Sequence, residues 1–318
     1  MQITTLIPAY KTKYMVELMT SLVTQTHKSH RIIVSDDSPG GEFRQILESP
    51  AMLVARERLP IEIHEGPRVG AYENFLHLLK LWDNSTELVH LLLDDDVIYP
   101  DFYAAHRAIH GAGSFSCSIS ARWTANERGQ PIEGMPIPAG VLQAMSRVVS
   151  LDAGAMFTTT IPKCQNWFGE FSNCVMTRQS AALLFKPEFG GVSYAGLWDL
   201  GAFLAASLNG PVAYIQDRLG HFRTGGEGHS NQLYGKHMKA AHLGYAALAV
   251  GARRIGQLGE EHARQCYDGI AAALHQRYTG QEDMQPFCRV LPRMRDGEPG
   301  AEDEFLPIWQ EFLALHKF

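Results

Sequence analysis

The first hundred residues of this chain alternate between two kinds of apolar pattern. Short runs rich in β-branched residues, such as Ile3 to Ile7 and Arg31 to Ser35, are typical of buried strands. Apolar residues at helical spacing, from Met15 to Val23 and from Ala71 to Trp82, predict amphipathic helices between the strands. The repetition predicts an α/β fold, with a mostly parallel, Rossmann-like sheet flanked by helices.

Polar clusters stand where three of the predicted strands end. Pro8-Ala9-Tyr10 follows the first strand, Asp36-Asp37-Ser38 follows the second, and Asp94-Asp95-Asp96 follows an apolar run from Leu88 to Leu93. Open α/β sheets bind ligands beyond the carboxyl ends of their strands. The three clusters therefore predict one ligand site at that edge.

The triple aspartate is the sharpest local signal and has two interpretations. Mg²⁺ and Mn²⁺ take one or two protein carboxylates together with phosphate oxygens. In an extended chain, Asp94 and Asp96 would point the same way, as a shared cation requires. The alternative is a turn that caps a helix, because aspartate favours both positions.

Asp36 and Asp37 also have two interpretations. With Ser38 and Pro39 they could form a turn between a strand and a helix. Their carboxylates could instead accept hydrogen bonds from the N–H groups of a nucleotide base.

The middle of the chain, about Gly111 to Pro187, is less regular and is expected to mix short strands with loops that shape a pocket. A helix is expected from Leu197 to Leu208 and a strand from Val212 to Ile215. Glycine and polar residues from Gly220 to Ser230 predict a loop.

From Gln232 onward the pattern is helical. Apolar stripes run from Ala263 to Leu274 and from Phe305 to Leu313, separated by a turn at Asp296–Gly300. Two domains are therefore expected, a sheet domain over residues 1–230 and a C-terminal helical module over residues 231–318. The stripes fit packing within the module or a partner interface, and packing is the commoner outcome.

Charge and the chain ends narrow the classes of function. The net charge is −6, and no run of Lys or Arg offers a surface for nucleic acid or anionic lipid. Neither a secretory signal nor an apolar stretch of about 20 residues is present, so we expect a cytoplasmic protein without a transmembrane segment. The five cysteines form no Cys-x-x-Cys motif and are expected to be free thiols.

Six short segments, in order, resemble the motifs of the family-2 glycosyltransferases, which have the GT-A fold. Those segments are Thr5–Tyr10, Ile33–Ser38, Gly66–Asn74, Leu91–Phe102, Leu197–Leu200 and Leu219–Gly226. The resemblance covers roughly residues 1 to 230. It implies an inverting transfer of a sugar from a nucleotide-diphosphate sugar to a hydroxyl of a glycan or glycoconjugate, with UDP the first choice among UDP, dTDP and GDP. It also implies a role in the biosynthesis of surface polysaccharide or of a glycoconjugate.

The resemblance assigns roles to particular residues. Asp199 would be the general base. The metal, Mn²⁺ or Mg²⁺, would be held by Asp95 and Asp96 with His229, although simple Asp-x-Asp spacing selects Asp94 and Asp96, and the pair stays open. The expected nucleotide-sugar contacts are Pro8, Ala9, Tyr10, Asp36, Asp37, Arg68, Asn74, Asp94, Asp95 and Arg223.

Two tryptophans are candidates for an acceptor platform. Trp167 and Trp198 could stack on a sugar ring, because an aromatic side chain offers a flat apolar face. The alternative for both is packing in a core, which is the commoner use of a large aromatic side chain.

Two other functions fit the same pattern. A sugar-1-phosphate nucleotidyltransferase also uses an α/β nucleotide-binding sheet, but it needs a glycine-rich basic loop after the first strand, and Pro8 to Lys13 contains no glycine. The second is a non-catalytic nucleotide-binding or scaffold protein on the same fold, and the intact aspartates argue against it.

Overall fold

The computed structural model describes residues 1–225 and 232–318, and these form two compact units. The sheet unit comprises Met1–Ser150, Phe168–Phe185 and Asn209–Thr224. The helical unit comprises Leu151–Trp167, Lys186–Leu208 and Gly225–Phe318. The predicted division at residue 230 stays a prediction.

The strands are short apart from two that cross the sheet unit. In chain order they are β1 (Ile3–Ala9), β2 (Arg31–Asp36), β3 (Ile61–Glu65), β4 (Leu88–Leu91), β5 (Val97–Ile98), β6 (Cys117–Ala125), β7 (Pro131–Gly134), β8 (Val148–Leu151), β9 (Cys174–Thr177), β10 (Glu188–Phe189), β11 (Val192–Ser193) and β12 (Val212–Arg223).

The helices flank the sheet and fill the C-terminal part of the chain. They are α1 (Met15–Val23), α2 (Glu42–Glu48), α3 (Leu53–Arg58), α4 (Ala71–Trp82), α5 (Phe102–Ala112), α6 (Ala139–Leu142), α7 (Ala153–Thr160), α8 (Arg178–Ala182), α9 (Trp198–Ser207), α10 (Lys236–Arg254), α11 (Glu260–Arg277), α12 (Gln285–Arg295) and α13 (Ala301–His316).

The main sheet has the strand order β3-β2-β1-β4-β9-β6-β12-β5, with β7 on β6 and β8 on β12. Its first four strands are mutually parallel, and β6 and β12 are also parallel, whereas β9 and β5 run antiparallel to their neighbours. This is the predicted α/β class, a largely parallel sheet flanked by helices and followed by helices at the C-terminus. The fold prediction is confirmed.

The register of the parallel strands brings their carboxyl ends together. Ala9 of β1 lies opposite Asp36 of β2, and Asp36 lies opposite Glu65 of β3. On the other side of β1, Leu6 pairs with Leu91, so the chain leaves β4 for Asp94 at the same edge. Apolar side chains from α1, β2 and α5 form the core beneath this edge.

One boundary prediction was wrong. The polar stretch after residue 219 was expected to be a loop, but β12 continues to Arg223. Its backbone pairs with β6 as far as Arg223 opposite Ala125, and with β5 at Gly220 opposite Ile98. Pairing on both sides satisfies the backbone groups whatever the local composition, and for that reason a window on the sequence missed it.

In the helical unit the predicted stripes are the buried faces of α11 and α13. Tyr267 and Ile270 of α11 are buried, as are Phe305 and Trp309 of α13. Phe287 of α12 meets the ring of Phe305 edge to face at 5.8 Å. The turn predicted at residues 296–300 separates α12 from α13. Among the described residues, none of the helices has both the length and the apolar character needed to cross a bilayer.

Candidate functional site

The turn after β2 is built around Asp36. Its buried carboxylate accepts hydrogen bonds from the backbone N–H groups of Ser38, at 3.0 Å, and of Arg44, at 2.9 Å, and from the Ser38 hydroxyl. These bonds tie the end of the strand to the first turn of α2, as the turn interpretation expects. Both oxygens of Asp36 are therefore engaged inside the protein, and a base contact by this residue stays a prediction.

Asp37 lies at the rim of the same edge and is half-buried. Its backbone N–H donates to the carbonyl of Ala9 at 2.8 Å, and its side-chain Oδ1 accepts from the backbone N–H of Arg68. A Cβ on Gly66 would stand 2.5 Å from that Oδ1, so a larger residue there would displace the Asp37 side chain. The structure thus brings together Ala9, Asp37 and Arg68, three of the predicted contacts.

Asp94 connects the loop after β4 to the loop after β1 by hydrogen bonds. Its buried Oδ2 accepts hydrogen bonds from the backbone N–H groups of Tyr10, at 2.6 Å, and Lys11, at 2.5 Å. Burial, followed by the charge of Asp95, raises the pKa of the Asp94 carboxyl to about 6. Asp94 therefore stabilises the conformation of the two loops at this edge of the sheet.

Asp95 and Asp96 differ in their surroundings. Asp95 forms an ion pair with the Lys11 ammonium and is partly accessible. Asp96 is only 1% exposed, its Oδ1 accepts from the backbone N–H of Arg223 at 3.2 Å, and its Oδ2 has no hydrogen-bond partner among the residues that the structure describes. Burial, followed by the charges of Asp95 and Glu170, raises the pKa of the Asp96 carboxyl well above its ordinary value.

Arg223 joins this acidic loop to β12. It is 6% exposed, and its guanidinium donates to the carbonyl oxygens of Asp95, at 3.0 Å, and Glu127, at 2.9 Å. The guanidinium also stacks over the ring of Tyr14 at 4.3 Å, a cation–π contact. The predicted grouping of Arg223 with the aspartates is thus present in the structure, and its role toward a ligand stays a prediction.

The fit of this loop to a divalent cation rests on the two carboxylates. A buried carboxylate oxygen without a donor is costly unless a cation compensates it, and Asp96 Oδ2 is such an oxygen. Asp95 supplies a second, accessible carboxylate. Within residues 1–225 and 232–318, no group of three or more His, Cys, Asp and Glu side chains could hold a metal ion. His229, the third predicted ligand, lies outside the described residues.

The remaining predicted donor contacts surround the same edge. Pro8 is in β1, and the side chain of Tyr10, just beyond it, is 58% exposed. Asn74 is buried in the first turns of α4, and its Oδ1 has no hydrogen-bond partner within the described part of the chain. An amide oxygen without a donor is available to a ligand that carries one.

Asp199 belongs to the helical unit, in the first turn of α9. Its Oδ1 accepts from the backbone N–H of Leu200 at 2.7 Å. Burial, followed by the charge of Asp199, raises the pKa of Tyr245, so the two side chains lie close enough to interact electrostatically. Asp199 is half-buried, and a carboxylate is the kind of group that can act as a general base.

The two tryptophans differ in accessibility. Trp198, beside Asp199, is half-buried. Trp167 is 1% exposed, and its Nε1 donates to the Thr159 hydroxyl at 3.1 Å. Trp167 is therefore packed in the core, as the alternative interpretation expects. The ring would have to become exposed to serve as an acceptor platform.

Sequence reasoning missed several supporting residues. Lys11 forms an ion pair with Asp95, and the guanidinium of Arg223 stacks on the ring of Tyr14. The hydroxyl of Ser172 accepts a hydrogen bond from the backbone N–H of Leu93 at 3.1 Å. Lys11 directly follows a predicted contact, so its position was a usable signal. Ser172 gives none, because 79 residues separate it from Leu93.

The largely parallel sheet with flanking helices is a fold that this chain shares with solved structures of S. aureus TarS. S. aureus TarS residues 1–349 in complex with UDP superposes with a TM-score of 0.56 at 15% identity, over 99% of this chain and 88% of that one. The same protein in complex with UDP-GlcNAc gives 0.53 at 13% identity, over 99% and 92% of the two chains. A longer TarS structure gives 0.55 at 15% identity, with 53% of that chain covered. No family model and no curated protein matches the sequence.

Proposed function

We propose that this protein is a nucleotide-sugar glycosyltransferase. The observation that carries the proposal is the set of Asp37, Asp95, Asp96 and Arg223 at one edge of a largely parallel sheet, where α/β folds bind nucleotides. The fold is shared with TarS, whose structures contain UDP and UDP-GlcNAc, and this supports the same class of donor here.

The donor is proposed to be a UDP-sugar. The rim carboxylate of Asp37 would accept an N–H of the base, and Tyr10, 58% exposed, offers a ring beside it. Asn74 Oδ1 would accept a hydroxyl or N–H of the same nucleotide. The diphosphate would lie toward Asp95 and Asp96.

A divalent cation, Mn²⁺ or Mg²⁺, is part of the proposal. Asp95 and Asp96 would hold it, and it would offset the negative charge of the departing diphosphate. One oxygen of Asp94, Oδ2, already accepts from two backbone donors, which favours this pair over Asp94 with Asp96. Arg223 orients the loop by binding its carbonyl at Asp95.

Transfer is proposed to invert the anomeric centre. Asp199 would take the proton of the acceptor hydroxyl as that oxygen attacks opposite the departing nucleotide. Trp198 remains the better of the two aromatic platforms, because Trp167 is buried. The acceptor class, a surface polysaccharide or a glycoconjugate, rests on the sequence resemblance alone.

Donor binding is tested with UDP, measured by calorimetry and by thermal shift with and without Mn²⁺. Asp37→Asn should weaken UDP binding with or without metal, whereas Asp95→Asn should remove the part that depends on Mn²⁺. The matched control is Asp83→Asn, an exposed aspartate of the same unit whose left-handed backbone asparagine tolerates. No UDP binding by the parent protein in Mn²⁺ would contradict the proposal.

Catalysis is tested by release of UDP from UDP-sugars with a panel of glycan acceptors. Asp199→Asn should nearly abolish transfer while leaving UDP affinity close to normal, and Asp268→Asn, an exposed aspartate of α11, should leave both unchanged. Full transfer by Asp199→Asn would exclude it as the base. Pyrophosphate release from UTP and a sugar phosphate would favour the nucleotidyltransferase, and tight binding without turnover would favour the scaffold.

A further inference from the structure

Two thiols meet inside the helical unit. Cys164 follows the short turn Ile161–Lys163 in a left-handed conformation, and its Sγ lies 3.6 Å from the Sγ of Cys266 in α11. The Cys164 thiol also lies 3.7 Å from the carbonyl oxygen of Cys266. A Cβ on Gly269, one turn further along α11, would stand 3.6 Å from Cys164 Sγ, so a small residue leaves room for this approach.

We propose that Cys164 and Cys266 form a redox site that closes to a disulfide when the protein meets a small disulfide oxidant such as oxidised glutathione. A disulfide needs its sulfurs about 2.05 Å apart, so the two thiols must approach by roughly 1.5 Å. Rotation of side chains that already touch can supply most of such a movement.

The chemistry balances with the oxidant alone. The Cys164 thiolate attacks one sulfur of oxidised glutathione, which breaks the oxidant's disulfide and releases one glutathione. Cys266 then attacks the Cys164 sulfur of the mixed disulfide and releases the second glutathione. The two protein thiols lose two electrons and two protons, and oxidised glutathione becomes two glutathione molecules.

Accessibility sets the order of these steps. Cys164 is half-buried, whereas Cys266 is buried. Burial, followed by the hydrogen bond with Cys164, raises the pKa of the Cys266 thiol. Cys164 is therefore the thiol that meets the oxidant, and Cys266 is the one that resolves the mixed disulfide.

The other three cysteines provide internal comparisons. Cys117 and Cys174 are fully buried on the neighbouring strands β6 and β9, where an oxidant the size of glutathione has no access. Cys288 in α12 is half-buried, as Cys164 is, so it can form a mixed disulfide. Only Cys164 combines access to the oxidant with a second thiol at 3.6 Å.

The bond would join residues that are 102 positions apart in sequence. A cross-link over so long a segment removes many conformations from the unfolded chain, so the oxidised protein is expected to be the more stable one. The Cys266 thiol donates to the carbonyl of Tyr245 at 3.5 Å, and oxidation removes this weak hydrogen bond because a disulfide sulfur carries no hydrogen.

The experiment incubates the purified protein in glutathione buffers of increasing oxidised fraction, quenches it by alkylation and measures intact mass and peptide linkage. Relative to the reduced and alkylated protein, we expect two fewer alkyl groups with the 2 Da loss of a disulfide, a single Cys164–Cys266 peptide, a Tm several degrees higher, and full reversal by a dithiol. Cys164→Ser and Cys266→Ser should each abolish the 2 Da loss. Cys288→Ser, the matched control, should retain it.

Three results would overturn the proposal. One is a stable glutathione adduct on Cys164, because Cys266 would then have failed to resolve it. Another is a Cys117–Cys174 linkage in place of the expected one. The third is unchanged mass at every glutathione ratio. Circular dichroism and Tm of the reduced serine variants establish that they fold, and Cys164→Ala provides a second variant if the serine is destabilising.

Discussion

Acidification should destabilise the sheet unit through histidines that the fold keeps neutral. Burial lowers the pKa of His90 from 6.5 to about 4, and burial lowers the pKa of His110 to the same value. His106, also buried, has its pKa lowered in the same direction, first by burial and then by the charges of the other two.

Burial explains why these rings resist a second proton. His90 Nε2 lies 2.9 Å from the carbonyl of Ser172, which can only accept, so Nε2 carries the hydrogen, and Nδ1 lies 3.1 Å from the Tyr103 hydroxyl. The single hydroxyl of Ser118 lies between His106 Nδ1, at 2.7 Å, and His110 Nε2, at 3.0 Å. A second proton on any of these rings would place a positive charge in a buried site, where water cannot solvate it.

The size of the effect follows from the two pKa values. Such a histidine binds a proton in the unfolded chain below about pH 6.5 but in the folded protein only below about pH 4, so stability is complete above 6.5 and falls as pH drops between the two. At pH 5, each of His90 and His110 lowers the free energy of unfolding by about 2 kcal/mol relative to pH 7.5.

The assay is urea denaturation at a series of pH values between 7.5 and 5, for the parent and for His110→Gln. The glutamine keeps a polar nitrogen near Ser118 but cannot titrate, so the loss of stability on acidification should shrink by about 2 kcal/mol. His275→Gln, an exposed histidine of α11, should follow the parent. If His110→Gln loses as much stability on acidification as the parent does, the neutral-histidine reasoning is wrong.

Two further substitutions test packing in the helical unit. Gly196→Ala should lower stability by about 1–3 kcal/mol, because its Cβ would stand 2.2 Å from the carbonyl oxygen of Ala240, whereas Gly140→Ala in α6 meets nothing within 4 Å and should be neutral or slightly stabilising. Lys239→Met should cost about 2–4 kcal/mol, because the buried ammonium donates to both oxygens of Asp283 at 2.8 Å and its removal leaves that carboxylate with the His316 imidazole, at 3.3 Å, as its remaining ion-pair partner. Thermal and urea denaturation of the variants measure both effects, and a Gly196→Ala variant as stable as the parent would contradict the close approach to α10.

The sequence was sufficient for elements whose pattern is local. The β-branched run of β2 and the helical spacing of α1 predicted those elements to within a residue. It was insufficient where residues far along the chain determine the local structure. The extension of β12 depends on pairing with β6. Trp167 and Trp198 are the same residue type, but tertiary packing buries the first and leaves the second partly exposed.

The triple aspartate shows the same limit at the candidate site. The spacing located the cluster but left the metal pair open, since three adjacent aspartates are equivalent in a local window. Their roles separate only through distant partners: Asp94 binds two amides 83 and 84 residues away, and Asp96 binds the backbone of Arg223, 127 residues away.

These contacts also connect the fold of the edge to its proposed chemistry. The backbone N–H groups of Tyr10 and Lys11 hydrogen-bond to Asp94 and leave the carboxylates of Asp95 and Asp96 to other partners. Asp95 faces Lys11, a cation that a diphosphate could draw away, and Asp96 keeps one buried oxygen without a donor among the described residues. A buried acceptor without a donor costs free energy. A cation that binds this oxygen together with a diphosphate would offset that cost. The carboxylate oxygen that lacks a hydrogen-bond donor, Asp96 Oδ2, therefore lies where the donor phosphates are proposed to bind.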